Sequence, residues 1–190
     1  MSENARPSRA SLWLIIALCA APVIASYLTF YFFAPAAKVN YGELVGTRPL
    51  PVVTLRLVDG TPFGLERVRG KWLLLMADSG KCGTDCEKKL FTLRQLRLAQ
   101  GREKERIERI WLINDGAVPA AQAIEPFAGT WPVQAAGSDL VRALPAENGV
   151  ERYLYLADPL GNLVLRYPAD ADPSRIIKDI TRLLKTSGIG

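Results

Sequence analysis

Between Arg9 and Lys38 no residue is charged, and Ser11 to Phe33 supplies 23 mostly apolar positions. About 20 residues at 1.5 Å each cross a hydrocarbon layer of about 30 Å. The run therefore reads as one transmembrane helix. It divides the 190 residues into a short N-terminus (1–10), the helix (11–33), a tether rich in proline and glycine (34–51) and a domain (52–187). A cleaved signal peptide fits less well. Val23-Ile24-Ala25 would serve as a cleavage site, but the following Ser26 to Phe33 stays apolar, and a signal's apolar region spans only about 7–15 residues. Leu18 argues against a lipoprotein site at Cys19. Tyr27, Phe30, Tyr31, Phe32 and Phe33 read as an interfacial aromatic belt, with Trp13 at the other rim.

Arg6, Arg9 and the terminal amine precede the helix against a single acid, Glu3. That bias predicts a cytoplasmic N-terminus and a domain on the far side, in the periplasm of a bacterium with a single pass through its inner membrane. The densest cationic run, Lys88 to Arg109, is interleaved with Glu87, Glu103, Glu105 and Glu108 and reads as an ion-paired, solvated helix face. A surface for lipid headgroups or an acidic partner is the other reading of it. The net charge of +5 comes without aromatic interleaving or a nucleic-acid motif, so no nucleic-acid role is indicated. The chain contains no histidine, which excludes Ser-His and Cys-His catalysis, His-ligated zinc or haem, and a histidine pH switch.

Within the domain, 52–57 and 61–63 around Asp59-Gly60 predict a hairpin. Lys71 to Ala77 and Ile107 to Ile113 are continuous apolar runs of strand length, as central strands buried on both faces require. Cys82 to about Gln100 has helical spacing, with Leu90, Leu93, Leu96 and Leu98 offering an apolar face. Short helices are predicted at 119–127 and 138–144, strands at 153–157 and 163–167, and a last helix opening at Asp172-Pro173 and running to about Lys185. Strand–helix–strand units closed by an antiparallel hairpin predict a three-layer α/β domain. A thioredoxin-like fold is the economical match, because two cysteines sit where the first central strand runs into its helix.

Those cysteines form Cys82-Gly-Thr-Asp-Cys86. Four apart on a helix, they would lie one turn above each other, able to close a disulfide or to pinch a soft metal ion. A helix N-terminus favours thiolate. Lys81 would add to that effect, while Asp85 and Glu87 would oppose it. A structural disulfide or two inert thiols is the alternative reading, but a pair at a strand-to-helix turn is placed where a reactive site would be exposed. Cys19 reads as a small apolar residue of the span, and Met76 as core.

The apolar strand, the CxxxC turn, the Leu-rich helix and the block Tyr155-Leu156-Ala157-Asp158-Pro159-Leu160-Gly161 together resemble the SCO/SenC family of cytochrome c oxidase assembly factors. The resemblance spans roughly 52–185. It implies a thioredoxin-like domain on a single membrane anchor, acting on a cytochrome c oxidase subunit or a copper chaperone, with Cys82 and Cys86 as a redox pair or as Cu(I) ligands. The chain departs from the family pattern in two places. Glu87 stands where the family has proline, and Asn148-Gly149-Val150-Glu151-Arg152 occupies the stretch where the family's third copper ligand, a histidine, is found. Glu151 or Asp158 could offer an oxygen donor instead. Two other readings stay open: a periplasmic thiol–disulfide oxidoreductase of broader scope, and a membrane-anchored interaction module. Against the former, a thioredoxin-type enzyme carries CxxC and a cis-proline, and Glu151-Arg152 falls where that proline would be.

Overall fold

A computed structural model describes residues 9–32 and 40–189, and they form two separate units. The first is a helix, α1 (Arg9–Phe32), with an 18-residue stretch of mean hydropathy 2.1 and no buried residue; it is long and apolar enough to cross a membrane. Phe33 of the expected belt lies outside the described residues, as do 1–8 and 34–39.

The second unit, from Asn40 onward, is built on an eight-stranded mixed sheet. Its strands are β1 (Glu43–Pro49), β2 (Leu55–Leu57), β3 (Pro62–Phe63), β4 (Trp72–Asp78), β5 (Ile107–Ile113), β6 (Thr130–Gln134), β7 (Tyr153–Ala157) and β8 (Asn162–Pro168). Their order across the sheet is β1-β8-β7-β4-β5-β6-β2-β3. β4, β5 and β6 run parallel, whereas β7 and β8 are antiparallel additions on one side, as are β2 and β3 on the other. The helices are α2 (Thr84–Leu98), α3 (Ala121–Ile124), α4 (Asp139–Arg142) and α5 (Pro173–Thr186).

β4 shows why the apolar runs become central strands. Trp72, Leu74 and Met76 face α2 and α5, meeting Leu90, Leu93 and Leu96 of one and Ile176, Ile180 and Leu184 of the other. Leu73, Leu75 and Ala77 face the opposite layer, with Phe63, Leu140 and Leu144. A strand with apolar neighbours on both faces cannot alternate, so its sequence does not. Met76 is wholly buried, as expected of core.

Three expectations need correction. The stretch 34–51, read as a tether, holds β1, which pairs with β8 from Glu43↔Arg166 to Pro49↔Asn162. The buried Arg166 grips Glu43 through two nitrogens at 2.8 and 3.0 Å and Glu147 at 2.8 Å. Just upstream, Gly42 N–H donates to the buried Asp179 carboxylate of α5 at 2.9 Å. The folded unit thus begins near Asn40 rather than at 52. Secondly, β6 forms in a stretch that carries no strand signal in the sequence, with Pro132 in its middle where a central strand normally excludes a residue without an N–H. Thirdly, the helix expected from Cys82 starts at Thr84, with Gly83 as its N-cap. Cys82 therefore stands on the turn before it.

Candidate functional site

The turn from Ser79 to Cys82 emerges at the carboxyl end of β4, where the parallel strands stop and loops can carry chemistry. Asp115, just past β5, fixes its shape. It accepts from the Ser79 hydroxyl at 2.6 Å, from Gly80 N–H at 3.0 Å and from Ala117 N–H at 3.0 Å. These bonds hold the Asp115 carboxyl below its ordinary value, the Ser79 bond contributing most. Gly80 lies so close to the neighbouring loop that a Cβ there would sit 2.2 Å from the Ala117 carbonyl oxygen. At the end of the turn Cys82 has φ +31°, a left-handed conformation held by no other non-glycine among the described residues. Such a backbone persists only where its surroundings enforce it.

Cys82 and Cys86 are joined in a disulfide with Cα atoms 5.1 Å apart, and Cys19 is free. Cys86 sits in the first turn of α2 and is 3% exposed, Cys82 7%. Both belong to the core cluster between sheet and helices. Closing so short a loop constrains the unfolded chain by about 2 kcal/mol, against about 4.7 kcal/mol for a 100-residue loop. As a staple the bond therefore achieves less than a long-range link would.

Cys86 lines an open groove of about 990 Å³ with Asp78, Thr84, Lys89, Glu151 and Tyr153. Lys89, one turn along α2, is 3% exposed. Its ammonium pairs with Asp78 Oδ2 at 2.6 Å and donates to the carbonyls of Ala77 at 3.2 Å and Glu151 at 2.5 Å. The Glu151 carboxylate in turn accepts from the Asn114 side chain. The loop before β7 is thereby strapped to the cysteine helix. Lys89 departs from the solvated-face reading of the basic run, as does Arg109, which is 3% exposed and whose guanidinium is pushed down to about 10 by burial, with Arg97 and Arg94 adding to the effect. The missed signal for Lys89 was its place on the stripe Cys86-Lys89/Leu90-Leu93-Leu96, a spacing that buries whatever it carries. Lys88 pairs with Asp85 at the surface, as expected, whereas Arg97 and Arg106, paired with Glu105 and Glu103, are half-buried and also donate to the carbonyls of Ile107 and of Leu184, Ser187 and Ile189.

The structure separates the two candidate oxygen donors. Glu151 is at the cysteine end of the sheet. Asp158 follows β7 at the opposite end, where β7 pairs with the start of β4, and its carboxylate closes the Leu160–Asn162 turn. Among the described residues no three cysteine or carboxylate side chains are grouped to hold a metal ion.

Residues 72–187 match the family of transmembrane-like, thioredoxin-like, C-terminal domains. The chain belongs to that family. No curated protein matches it in sequence. Solved structures share the family fold at low identity. Yeast Sco1 with copper bound superposes with a TM-score of 0.58 at 16% identity, over 74% of this chain and 96% of that one. BsSco, a Sco-family cytochrome c oxidase assembly protein in which a disulfide switch was identified, gives 0.56 at 15%, over 77% and 98%. The thioredoxin domain of a Bacteroides vulgatus thiol-disulfide oxidoreductase gives 0.53 at 17%, over 74% and 99%. The thioredoxin-like α/β fold and the likeness to SCO structures expected from the sequence are thus both found.

Proposed function

We propose that the chain is a membrane-anchored, SCO-like assembly factor for a haem–copper oxidase that works by thiol–disulfide exchange through Cys82 and Cys86. The observation that carries this reading is the disulfide itself. It closes a single turn at the rim of a groove, braced by a rigid turn on one side and a buried lysine on the other. In the reaction, a Cys82 thiolate attacks a partner disulfide and the partner's leaving sulfur departs as a thiol. Cys86 then attacks Cys82 of the mixed disulfide and releases the partner's second thiol. Two electrons and two protons pass to the partner, and the Cys82–Cys86 bond re-forms. Cys82 is assigned the first attack because it is the less buried residue of the pair and lies outside the helix. The partner is the oxidised copper-site cysteine pair of an oxidase subunit or a copper chaperone, which leaves as the dithiol. The domain faces the periplasm of a bacterial inner membrane, an oxidising compartment in which such a bond persists.

Trapping tests the reading. Cys86→Ser in the full chain should accumulate a mixed disulfide through Cys82 in cells, and Cys82→Ser should not. Absence of any mixed disulfide, with the native pair oxidised throughout, would leave the cysteines structural. A second reading, favoured by the copper-bound relative, is carriage of Cu(I) as cargo by the reduced pair. Two soft thiolates suit that ion.

A further inference from the structure

Lys89 is a buried cation whose three donors are all engaged, by Asp78, Ala77 and Glu151. Stability alone does not account for it. Taking the Lys89 ammonium out of water is costly, its partner Asp78 being only partly buried, and well-packed apolar side chains usually do as well or better. Its position suggests another role. Lys89 lies three residues after Cys86 on the same face of α2, and both line the groove. Asp78, which holds the ammonium, immediately precedes the turn carrying Cys82. The other lysines nearby are exposed, Lys81 on the turn and Lys88 paired with Asp85 at the surface. With no histidine anywhere in the chain, no imidazolium can stand in for them.

The oxidised pair carries no charge, whereas the reduced pair develops negative charge on sulfur in a poorly hydrated place. A fixed cation stabilises the second state and not the first. We propose that Lys89, held by Asp78, is the positioning residue that sets the reduction potential of the Cys82–Cys86 pair, favouring the reduced form. The proposal deepens the redox reading above and rests on it. Asp78 tempers the same effect, so the two charges pull the potential in opposite directions. The bond from Lys89 to the Glu151 carbonyl also keeps the loop before β7 against the site, where it completes the groove wall.

The test uses the full chain in detergent micelles, equilibrated with mixtures of reduced and oxidised glutathione. Two glutathione thiols supply the two electrons and two protons and leave as glutathione disulfide. The reduced fraction is read by alkylation and peptide mass spectrometry, which keeps Cys19 separate. Lys89→Met should move the equilibrium constant about tenfold toward the disulfide, a potential lower by about 30 mV for a two-electron couple. Lys89→Arg should restore it to within about threefold of the parent. Asp78→Asn should move it the other way. Opposite shifts from the two halves of one ion pair cannot come from a merely structural role. Should Lys89→Met fail to fold, the direction of the Asp78→Asn shift decides alone, toward the dithiol in support and toward the disulfide or unmoved against. If the parent exchanges with glutathione but both variants stay within threefold of it, or move the same way, the role of Lys89 is overturned and the redox reading survives. If the parent pair does not exchange at all, the redox reading falls and the inference with it.

Discussion

The Ser79 hydroxyl donates to the Asp115 carboxylate at 2.6 Å, joining the turn after β4 to the turn after the neighbouring parallel strand β5. Asp115 also receives Gly80 and Ala117, so one carboxylate organises both loops beside the disulfide. The cysteine turn is therefore shaped by a residue 33 positions away from Cys82 in sequence, brought there by the parallel pairing of Asp78 with Ile113.

The hydrogen bonds that lower the Asp115 value fix a pH dependence. A carboxyl whose folded value lies below its unfolded one, about 3.9, stabilises the fold fully above that value. The contribution is lost as pH falls through the folded value. Asp115→Asn should therefore melt below the parent at pH 7, and the gap should close as the pH drops below the ordinary carboxylate range. Melting curves of the two proteins between pH 7 and 3 check this; a gap independent of pH would show that the charge is not what holds the turn.

Gly80→Ala places a Cβ 2.2 Å from a backbone oxygen of the Ala117 loop, which cannot rotate away. Overpacking of this kind costs about 1–3 kcal/mol. At Gly83, three residues on, a Cβ meets nothing within 4 Å, so Gly83→Ala should cost only the N-cap preference for glycine over alanine, about 1 kcal/mol or less, and less than Gly80→Ala. Chemical denaturation of the two variants gives the comparison directly.

Much of this architecture is legible in the sequence. Ile107–Ile113 appears as the strand expected, and Lys71–Ala77 is offset by one residue. The helix caps Ser138 and Asp172 accept from Val141 N–H and Ser174 N–H as their residue types suggest. What escapes reading is structure imposed from outside the segment. β1, Glu-Leu-Val-Gly-Thr-Arg-Pro, carries no alternation and becomes a strand because β8 offers an edge and Arg166 a partner for Glu43. β6 accommodates Pro132, whose carbonyl accepts from Val58 N–H at 3.1 Å. The cysteine spacing was legible, but its placement was not. CxxxC fits a continuous helix as well as a turn followed by a Gly-capped one, and only the clamp from Asp115 distinguishes them.

The relocated domain boundary has a measurable consequence. Asp179 is buried and accepts from Gly42 N–H at 2.9 Å, with the Tyr167 hydroxyl at 3.4 Å. Burial, with the Asp179 charge beside it, raises the Tyr167 phenol well above its usual range. A chain beginning at Asn40 should keep this contact and its stability. One beginning at Val52 loses β1 and leaves Asp179 without its backbone donor. An unmet buried acceptor costs about 1–3 kcal/mol, more when charged. Asp179→Ala in the longer chain should reproduce part of that loss. Equal melting temperatures for the two truncations would place the boundary back at 52.

Copper separates the two functional readings. The reduced protein offers two sulfurs at one end of the sheet, with Lys89 buried one helical turn from Cys86. Asp158 lies at the other end, Glu151 already accepts from Asn114, and no third ligand is grouped with the cysteines among the described residues. Two thiolates satisfy Cu(I), whereas Cu(II) prefers a tetragonal set that includes nitrogen or oxygen donors. The reduced chain should therefore bind at most one Cu(I) in competition with a chromogenic chelator, and Cys82→Ser or Cys86→Ser should abolish binding. Added Cu(II) should give no lasting thiolate charge-transfer band. Any band that appears should decay as two Cu(II) ions take one electron each, leaving two Cu(I) and the Cys82–Cys86 disulfide. A persistent band, lost in either cysteine variant, would mean that the site assembles a nitrogen or oxygen ligand on metal binding, and would move the protein from redox partner to copper carrier.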